Sequence, residues 1–256
     1  MIEWRDEGVL LSAEPHGEGH AVAQILTEAH GRHAGLVHGG VSSRRAHELQ
    51  PGAEVSIGWR ARLADHLGTY TFELRTPHAA FWLEDRRRLA GIASACAVAT
   101  VLPEREPMPG AYHGLLALLA ALESEAWPAA YVLWELGVLG ALGFGLALDR
   151  CARTGATEGL AYVSPRTGAA VTAEAAGDLA PKLLPLPAFL AGGEDFDDAA
   201  IAQGLRSLPD NIERRTGCTP DIVEAIDVAL DAEMEALADK LTELVALDLG
   251  EEVTEI

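Results

Sequence analysis

The first 75 residues alternate between short apolar runs and turn-forming residues. Five runs rich in valine, isoleucine, leucine, threonine and aromatic residues are separated by glycine, proline, histidine and aspartate. The runs cover residues 4–12, 20–27, 31–40, 54–62 and 69–75. Short segments of this composition, repeated at roughly 10–15 residues, are typical of an all-β barrel or sandwich. The sequence therefore predicts a β domain at the start of the chain.

The fourth run indicates which side of its strand is buried. Side chains of a strand point alternately to opposite faces. One face is apolar and carries Val55, Ile57, Trp59 and Ala61. The other face is polar and carries Ser56, Arg60 and Arg62. Five such strands fit a small closed barrel of the OB type, whose open face often binds nucleic acid or sugar. A small SH3-like barrel is the structural alternative.

The pattern becomes helical after about residue 80. A first helix is predicted from about Phe81 to Leu102, where Pro103 stops it. Two more are predicted at residues 111–122 and 128–142. The last of these is apolar nearly all round, with Glu135 as its only formal charge, so we expect it in the middle of a helical domain.

The rest of the chain contains an irregular insert and an acidic end. Residues 147–177 look irregular, with a hairpin predicted around the turn at residues 164–168. An acidic linker at 192–198 is followed by a predicted short helix that ends at about 208. An amphipathic acidic helix is predicted at about 219–249. The predicted fold class is therefore α+β. An OB-fold nucleic-acid-binding domain occupies residues 1–78 and a helical domain residues 80–256.

The negative charge is distributed unevenly. The formal net charge is −20, and counting along the sequence places 14 of these excess negative charges in the last 67 residues. The first 189 residues are nearly balanced, which leaves room for a local basic face. Arginine greatly outnumbers lysine, and its planar guanidinium suits phosphate recognition.

Several classes of protein are disfavoured by the sequence. Three widely spaced cysteines do not form a disulfide framework, and acidic residues stand where a signal peptide would be basic. No apolar run reaches the roughly 18 residues that a membrane helix needs. We therefore expect a cytoplasmic protein without membrane association. No nucleophile elbow, phosphate-cradling loop or dinucleotide fingerprint is present, so we expect no enzymatic activity.

Metal binding is not expected either. His16 with His20, and His30 with His33, have spacings that suit a metal, but on strands residues three apart face opposite sides. Cys151 has no second cysteine nearby, whereas a structural zinc needs about four ligands. We expect no cofactor.

The candidate binding residues are arginines of the β domain. Those expected to contact DNA phosphates are Arg32, Arg44, Arg45, Arg60 and Arg62. The alternative is an ordinary solvated arginine face. A further cluster, Arg86 to Arg88, stands at the domain junction, where Glu84 and Asp85 can balance it.

The order of several short motifs resembles a known family. The motifs are residues 4–11 (WRDEGVLL), 26–28 (LTE), 31–32 (GR), 39–40 (GG), 49–52 (LQPG), 134–136 (WEL), 142–146 (LGFGL), Cys151, 154–155 (TG) and 161–168 (AYVSPRTG). Together they resemble the recombination mediator family RecO in its alphaproteobacterial form, over about residues 1–190. The resemblance implies an OB fold, a helical second domain and a role in the RecF pathway of DNA repair.

The resemblance also implies partners. Family members bind single- and double-stranded DNA, anneal strands, work with RecR and contact the tail of single-strand binding protein to help load the recombinase. A nucleoid-associated location in the cytoplasm follows. This chain departs from the family in three places: a weaker basic segment at residues 38–45, one cysteine where some members have four that bind zinc, and a different ending at 204–256.

We therefore expect a DNA-binding recombination mediator without enzymatic activity. Two other functions remain open. One is a protein–protein adaptor with weak or no DNA binding, and the other is a metalloenzyme that uses the histidines near the start of the chain.

Overall fold

The computed structural model describes residues 1–42, 45 and 47–191. The predicted acidic linker, the short helix that follows it and the acidic helix at about 219–249 lie outside these described residues. So does Arg44, one of the arginines expected to bind DNA.

Five strands form a closed barrel at the start of the chain. They are β1 (Ile2–His16), β2 (His20–Thr27), β3 (Gly31–Val37), β4 (Ala53–Ala61) and β5 (Thr69–Pro77). Their order is β1-β2-β3-β5-β4, and β1 closes the barrel by pairing with β4. The single parallel contact, between β3 and β5, joins Leu36 to Thr69 and Val37 to Tyr70. This arrangement confirms the predicted five-stranded OB fold.

The alternation predicted for the fourth strand is confirmed. In β4 the apolar residues are buried, and Trp59 is only 1% exposed. Its indole N–H donates to the carbonyl of Leu67 at 2.9 Å, so the buried ring has a partner for its one polar group. Arg60 lies on the outer face and is exposed. The barrel core is formed by the inward residues of all five strands.

Within residues 78–141 of the described chain the barrel is followed by α1 (His78–Phe81), α2 (Arg86–Ala99), α3 (Pro109–Ala121) and α4 (Trp127–Ala141). The first long helix is shorter than predicted. It begins at Arg86 because Asp85 caps it, accepting a hydrogen bond from the backbone N–H of Arg88 at 3.0 Å. Both α3 and α4 have proline in the first turn, where its missing N–H is not needed.

The helices and one side of the barrel share a hydrophobic core. Val9, Leu11 and Leu26 of the barrel belong to the same buried cluster as the inner residues of α2, α3 and α4. Helix α4 lies in this core as predicted, and its Glu135 is 1% exposed. In the described residues the barrel and the helices therefore pack against each other, while the division of the chain into domains at 1–78 and 80–256 stays a prediction.

The irregular insert contains a small sheet. Strand β6 (Leu160–Val163) pairs with β7 (Ala170–Thr172), which confirms the predicted hairpin, and a short β8 (Leu184–Pro185) adds on the other side. A four-residue helix α5 (Ala173–Ala176) and two 3-10 turns complete this part. Within the described residues, no helix is both long and apolar enough to cross a membrane.

Candidate nucleic-acid interface

Two shallow grooves lie on the outer surface of the barrel, where β1, β4 and β5 are adjacent. The first has a volume of about 510 Å³ and is lined by residues that include Arg60, Arg62 and His66. The second has a volume of about 630 Å³ and includes Arg5, Ser56 and Arg75 among its lining residues. Both are open to solvent, and the strands carry them side by side on one face. We call this surface the β1–β4–β5 face.

Strand register explains why arginines meet on this face. Arg5 of β1 lies opposite Gly58 of β4, and Gly58 lies opposite Thr71 of β5. A side chain at position 58 would stand 2.9 Å from the Thr71 hydroxyl and 3.9 Å from the Arg5 side chain. Glycine at position 58 therefore leaves space in the second groove between the aliphatic part of the Arg5 side chain and the Thr71 hydroxyl.

The arginines of this face differ in how they are paired. Within the part of the chain that the structure describes, Arg5, Arg60 and Arg62 form no salt bridge. Arg75, by contrast, donates to the Ser56 hydroxyl at 2.8 Å and lies 3.7 Å from a carboxylate oxygen of Glu7. The cations free to take a phosphate are therefore concentrated at the end of the face near residues 60–62.

The structure brings together two of the five predicted arginines. Arg60 and Arg62 line the same groove, together with the start of the chain at Met1. Arg45 lies apart from them. Its guanidinium is 5.4 Å from the centre of the Phe72 ring and donates to the carbonyl of His38 at 3.3 Å.

Arg32 has a different environment from the one expected for a phosphate ligand. Its side chain is only 14% exposed. It donates to the backbone carbonyl of Leu102 at 2.7 Å and to Gln24, and it lies 3.3 Å from Glu104. These contacts favour a role for Arg32 in joining the barrel to the helices. We therefore leave Arg32 out of the proposed DNA-binding residues.

Two arginines of the β1–β4–β5 face were not predicted from the sequence to bind DNA. Arg5 and Arg75 line the second groove but were not among the expected ligands. Strand alternation could have found Arg5, because it follows Trp4, whose ring faces inward opposite Trp59 of the adjacent strand, so Arg5 must face outward. The pairing of β1 with β4, which places Arg5 opposite Gly58 and Glu3 opposite Arg60, could not be read from one strand alone.

The comparisons with known proteins identify the family. The family model "Recombination protein O N terminal" matches residues 1–77, and "Recombination protein O C terminal" matches residues 83–217. The chain belongs to the recombination protein O family. The match continues past residue 190, where the sequence resemblance was expected to end. Residues 218–256 lie beyond it.

Relatives named DNA repair protein RecO are similar over most of this length. That of Ruegeria sp. is 49% identical over 208 residues, covering 80% of this chain and 86% of the relative. That of Cereibacter sphaeroides is 50% identical over 207 residues, with coverage of 80% and 86%. That of Rhodospirillum centenum is 50% identical over 207 residues, with coverage of 80% and 83%.

Two histidines of the barrel, His30 and His33, belong to an aromatic cluster with Trp4 and Trp59. The His30 ring stacks on Trp4 with centroids 3.9 Å apart, and its Nδ1 lies 2.9 Å from Asp6. His33 is buried against Trp59, and burial lowers the pKa of its imidazole. Among the described residues, no three histidine, cysteine or acidic side chains come together as metal ligands.

Two further candidates from the sequence have structural roles. Cys151, the one cysteine at the position of the family's zinc motif, is buried with the Thr172 hydroxyl 3.9 Å from its sulfur. This donor set does not suit zinc, which needs about four ligands. Arg88 of the 86–88 cluster contacts Asp85 and Glu125 and donates to the carbonyl of Leu122, so it ties α2 to the end of α3.

Proposed function

We propose that this protein binds single- and double-stranded DNA through the β1–β4–β5 face and acts as a recombination mediator in DNA repair, without catalysis or a bound cofactor. Membership of the recombination protein O family supports the repair role. The observation that carries the DNA-binding part is the pair Arg60 and Arg62, exposed and without salt bridges in the described residues, beside the loop at residues 62–68. In OB folds the loop between strands 4 and 5 borders the ligand site.

The chemistry of the face suits a phosphate backbone. Arginine guanidinium groups donate to phosphate oxygens, and the hydroxyls of Ser56 and Thr69 lie among them. The second groove also carries the carboxylates of Glu7 and Glu73, so positive charge is greatest in the groove of Arg60 and Arg62. Each groove is lined by one ring, that of the half-buried Phe72 or that of the exposed His66, which is too few for stacking on successive bases. We therefore expect binding with little sequence preference and a strong dependence on salt, because phosphate contacts release counterions.

The outer surface of β2 and β3 is a poorer candidate. Its outward residues are mostly uncharged: Val22, Gln24, Ala34 and Leu36. The arginine on this side, Arg32, already contacts Leu102 and Gln24. Among the described residues, the arginines without a salt bridge thus favour the β1–β4–β5 face as the DNA-binding surface.

The proposed partners come from the family. We propose that the protein anneals strands, works with RecR and contacts the tail of single-strand binding protein to help load the recombinase. A cytoplasmic, nucleoid-associated location belongs to the same proposal. The rival function, an adaptor with weak DNA binding, draws on the net charge of −20.

A charge-reversal experiment separates these functions. We expect the double variant Arg60→Glu/Arg62→Glu to lose single-strand annealing and to bind a fluorescent oligonucleotide at least roughly tenfold more weakly. The matched control is Arg150→Glu/Arg166→Glu, two exposed arginines of the insert whose reversal changes the net charge equally. If both double variants bind and anneal like the unmodified protein, DNA does not bind this face. If the unmodified protein itself neither binds the oligonucleotide nor anneals strands, the adaptor function is favoured.

A further inference from the structure

The loop between β4 and β5 is held by its carbonyl groups. All six carbonyls of residues 63–68 accept a hydrogen bond. Leu63 accepts from the N–H of His66 at 3.3 Å, Leu67 from the indole of Trp59 at 2.9 Å, and Gly68 from the N–H of Leu36 at 3.1 Å. The remaining three carbonyls, those of residues 64–66, accept from one side chain outside the barrel.

That side chain is Arg105. Its Nη1 donates to Ala64 at 2.7 Å, and its Nη2 donates to Asp65 at 3.3 Å and to His66 at 3.1 Å. Arg105 belongs to the connection between α2 and α3, about 40 residues further along the chain. One planar guanidinium thus joins three consecutive carbonyls of a barrel loop to the helical part of the protein.

The backbone around Arg105 is fixed from both sides. Arg105 has a φ of 61°, a left-handed conformation that non-glycine residues adopt only where the surroundings hold it. Its N–H donates to the carbonyl of Arg32 at 2.8 Å, and the guanidinium of Arg32 donates in return to the carbonyl of Leu102 at 2.7 Å. Arg32 therefore binds the 102–105 segment at two points, Leu102 and Arg105, and this attachment directs the Arg105 side chain at the loop.

We infer that Arg105 is a positioning residue for the nucleic-acid groove: it holds the loop at residues 63–68 in the shape that presents Arg62 and His66 to a phosphate backbone. This inference rests on the proposed function. His66 and Gly68 line the same groove as Arg60 and Arg62. Without the guanidinium, the three carbonyls turn to water and the loop samples other shapes. Only the fraction of molecules with the competent shape then binds, which weakens the apparent affinity.

Two variants separate positioning from charge. Arg105→Ala removes the guanidinium, whereas Arg105→Lys keeps the positive charge but replaces the planar fork with a single ammonium group. Arg153→Ala is the matched control, because Arg153 is also exposed and donates to a backbone carbonyl, that of Ala175, in the distant insert. Hydrogen exchange followed by mass spectrometry measures loop order without DNA, and oligonucleotide anisotropy measures affinity.

We expect the His66 amide, which donates to the Leu63 carbonyl inside the loop, to exchange roughly tenfold faster in Arg105→Ala and also faster in Arg105→Lys, with the denaturation midpoint little changed. Oligonucleotide affinity should fall about three- to tenfold in both variants and stay unchanged in Arg153→Ala. The inference is overturned if hydrogen exchange in the loop is unchanged in Arg105→Ala. It is also overturned if Arg105→Lys, or either variant whose loop exchanges faster, binds the oligonucleotide as tightly as the unmodified protein. Failure of the proposed function looks different, because the unmodified protein would then bind no oligonucleotide. That result removes the role in DNA binding, whatever the exchange data show.

Discussion

Replacing Gly31 by alanine tests the contact between the barrel and the helices. Gly31 begins β3 with a φ of 65°, and a Cβ at this position would stand 2.0 Å from the carbonyl oxygen of Glu106 and 2.5 Å from its carbonyl carbon. Backbone atoms cannot rotate away as a flexible side chain can. Gly31→Ala must therefore push the 103–107 segment off the barrel, or shift β3 itself.

The cost of Gly31→Ala has two parts. A non-glycine residue in the left-handed region costs about 1 kcal/mol. Forcing extra volume into a packed contact costs about 1–3 kcal/mol more. The displacement would also weaken the hydrogen bond of 2.8 Å that the Arg105 N–H donates to the Arg32 carbonyl. We expect a total loss of about 2–4 kcal/mol in the free energy of unfolding.

Gly17→Ala is the matched control for this substitution. Gly17 has a φ of 59°, and a Cβ there would meet nothing within 4 Å. Gly17→Ala should therefore lower the free energy of unfolding only by the conformational cost, about 1 kcal/mol. Urea denaturation followed by tryptophan fluorescence compares the two variants. If the free energy of unfolding falls by about 2 kcal/mol per molar urea, the denaturation midpoint should fall by about 1–2 M for Gly31→Ala and by about 0.5 M for Gly17→Ala. Equal midpoints for the two variants would refute the close approach of Gly31 to Glu106.

Two further predictions concern buried polar groups. Burial lowers the pKa of His33, so below about pH 6.5 the unfolded chain binds a proton more readily than the folded one, and the stability contributed by neutral His33 is lost as pH falls. Denaturation between pH 7.5 and 5.5 should show a smaller decline for His33→Gln than for the unmodified protein, and parallel declines would contradict the assignment. In the helical core the hydroxyls of Ser94 and Tyr131 are hydrogen-bonded to each other and buried. Tyr131→Phe should cost about 1–2 kcal/mol, and the double variant with Ser94→Ala should cost less than the sum of the two single changes; strict additivity in a double-mutant cycle would show that the pair does not interact.

The barrel was predictable because its signals are local. Alternation in residues 54–62 placed Trp59 in the core and Arg60 on the surface, and the structure confirms both. The helix starts were less predictable. Asp85 became a cap rather than a first-turn residue, since a single hydrogen bond to the Arg88 N–H decides where α2 begins.

The candidate site could be predicted only in part, because it depends on contacts between distant segments. Arg60 and Arg62 share a groove since they lie on the same outer face. Arg32 has the same residue type and a similar strand position, yet its guanidinium is taken by Leu102, 70 residues away. Arg105 drew no attention in the sequence because its partners are backbone carbonyls of a loop, which leave no pattern in residue types.

The salt dependence of oligonucleotide binding tests the central claim most directly. If Arg5, Arg60 and Arg62, which form no salt bridge among the described residues, each neutralise one phosphate of a single strand, the logarithm of the association constant should fall against the logarithm of salt with a slope of about −2. Arg60→Ala/Arg62→Ala should reduce this slope to about a third, while Arg150→Ala/Arg166→Ala should leave it unchanged. A flat salt dependence, or one that ignores Arg60 and Arg62, would contradict phosphate binding on the β1–β4–β5 face.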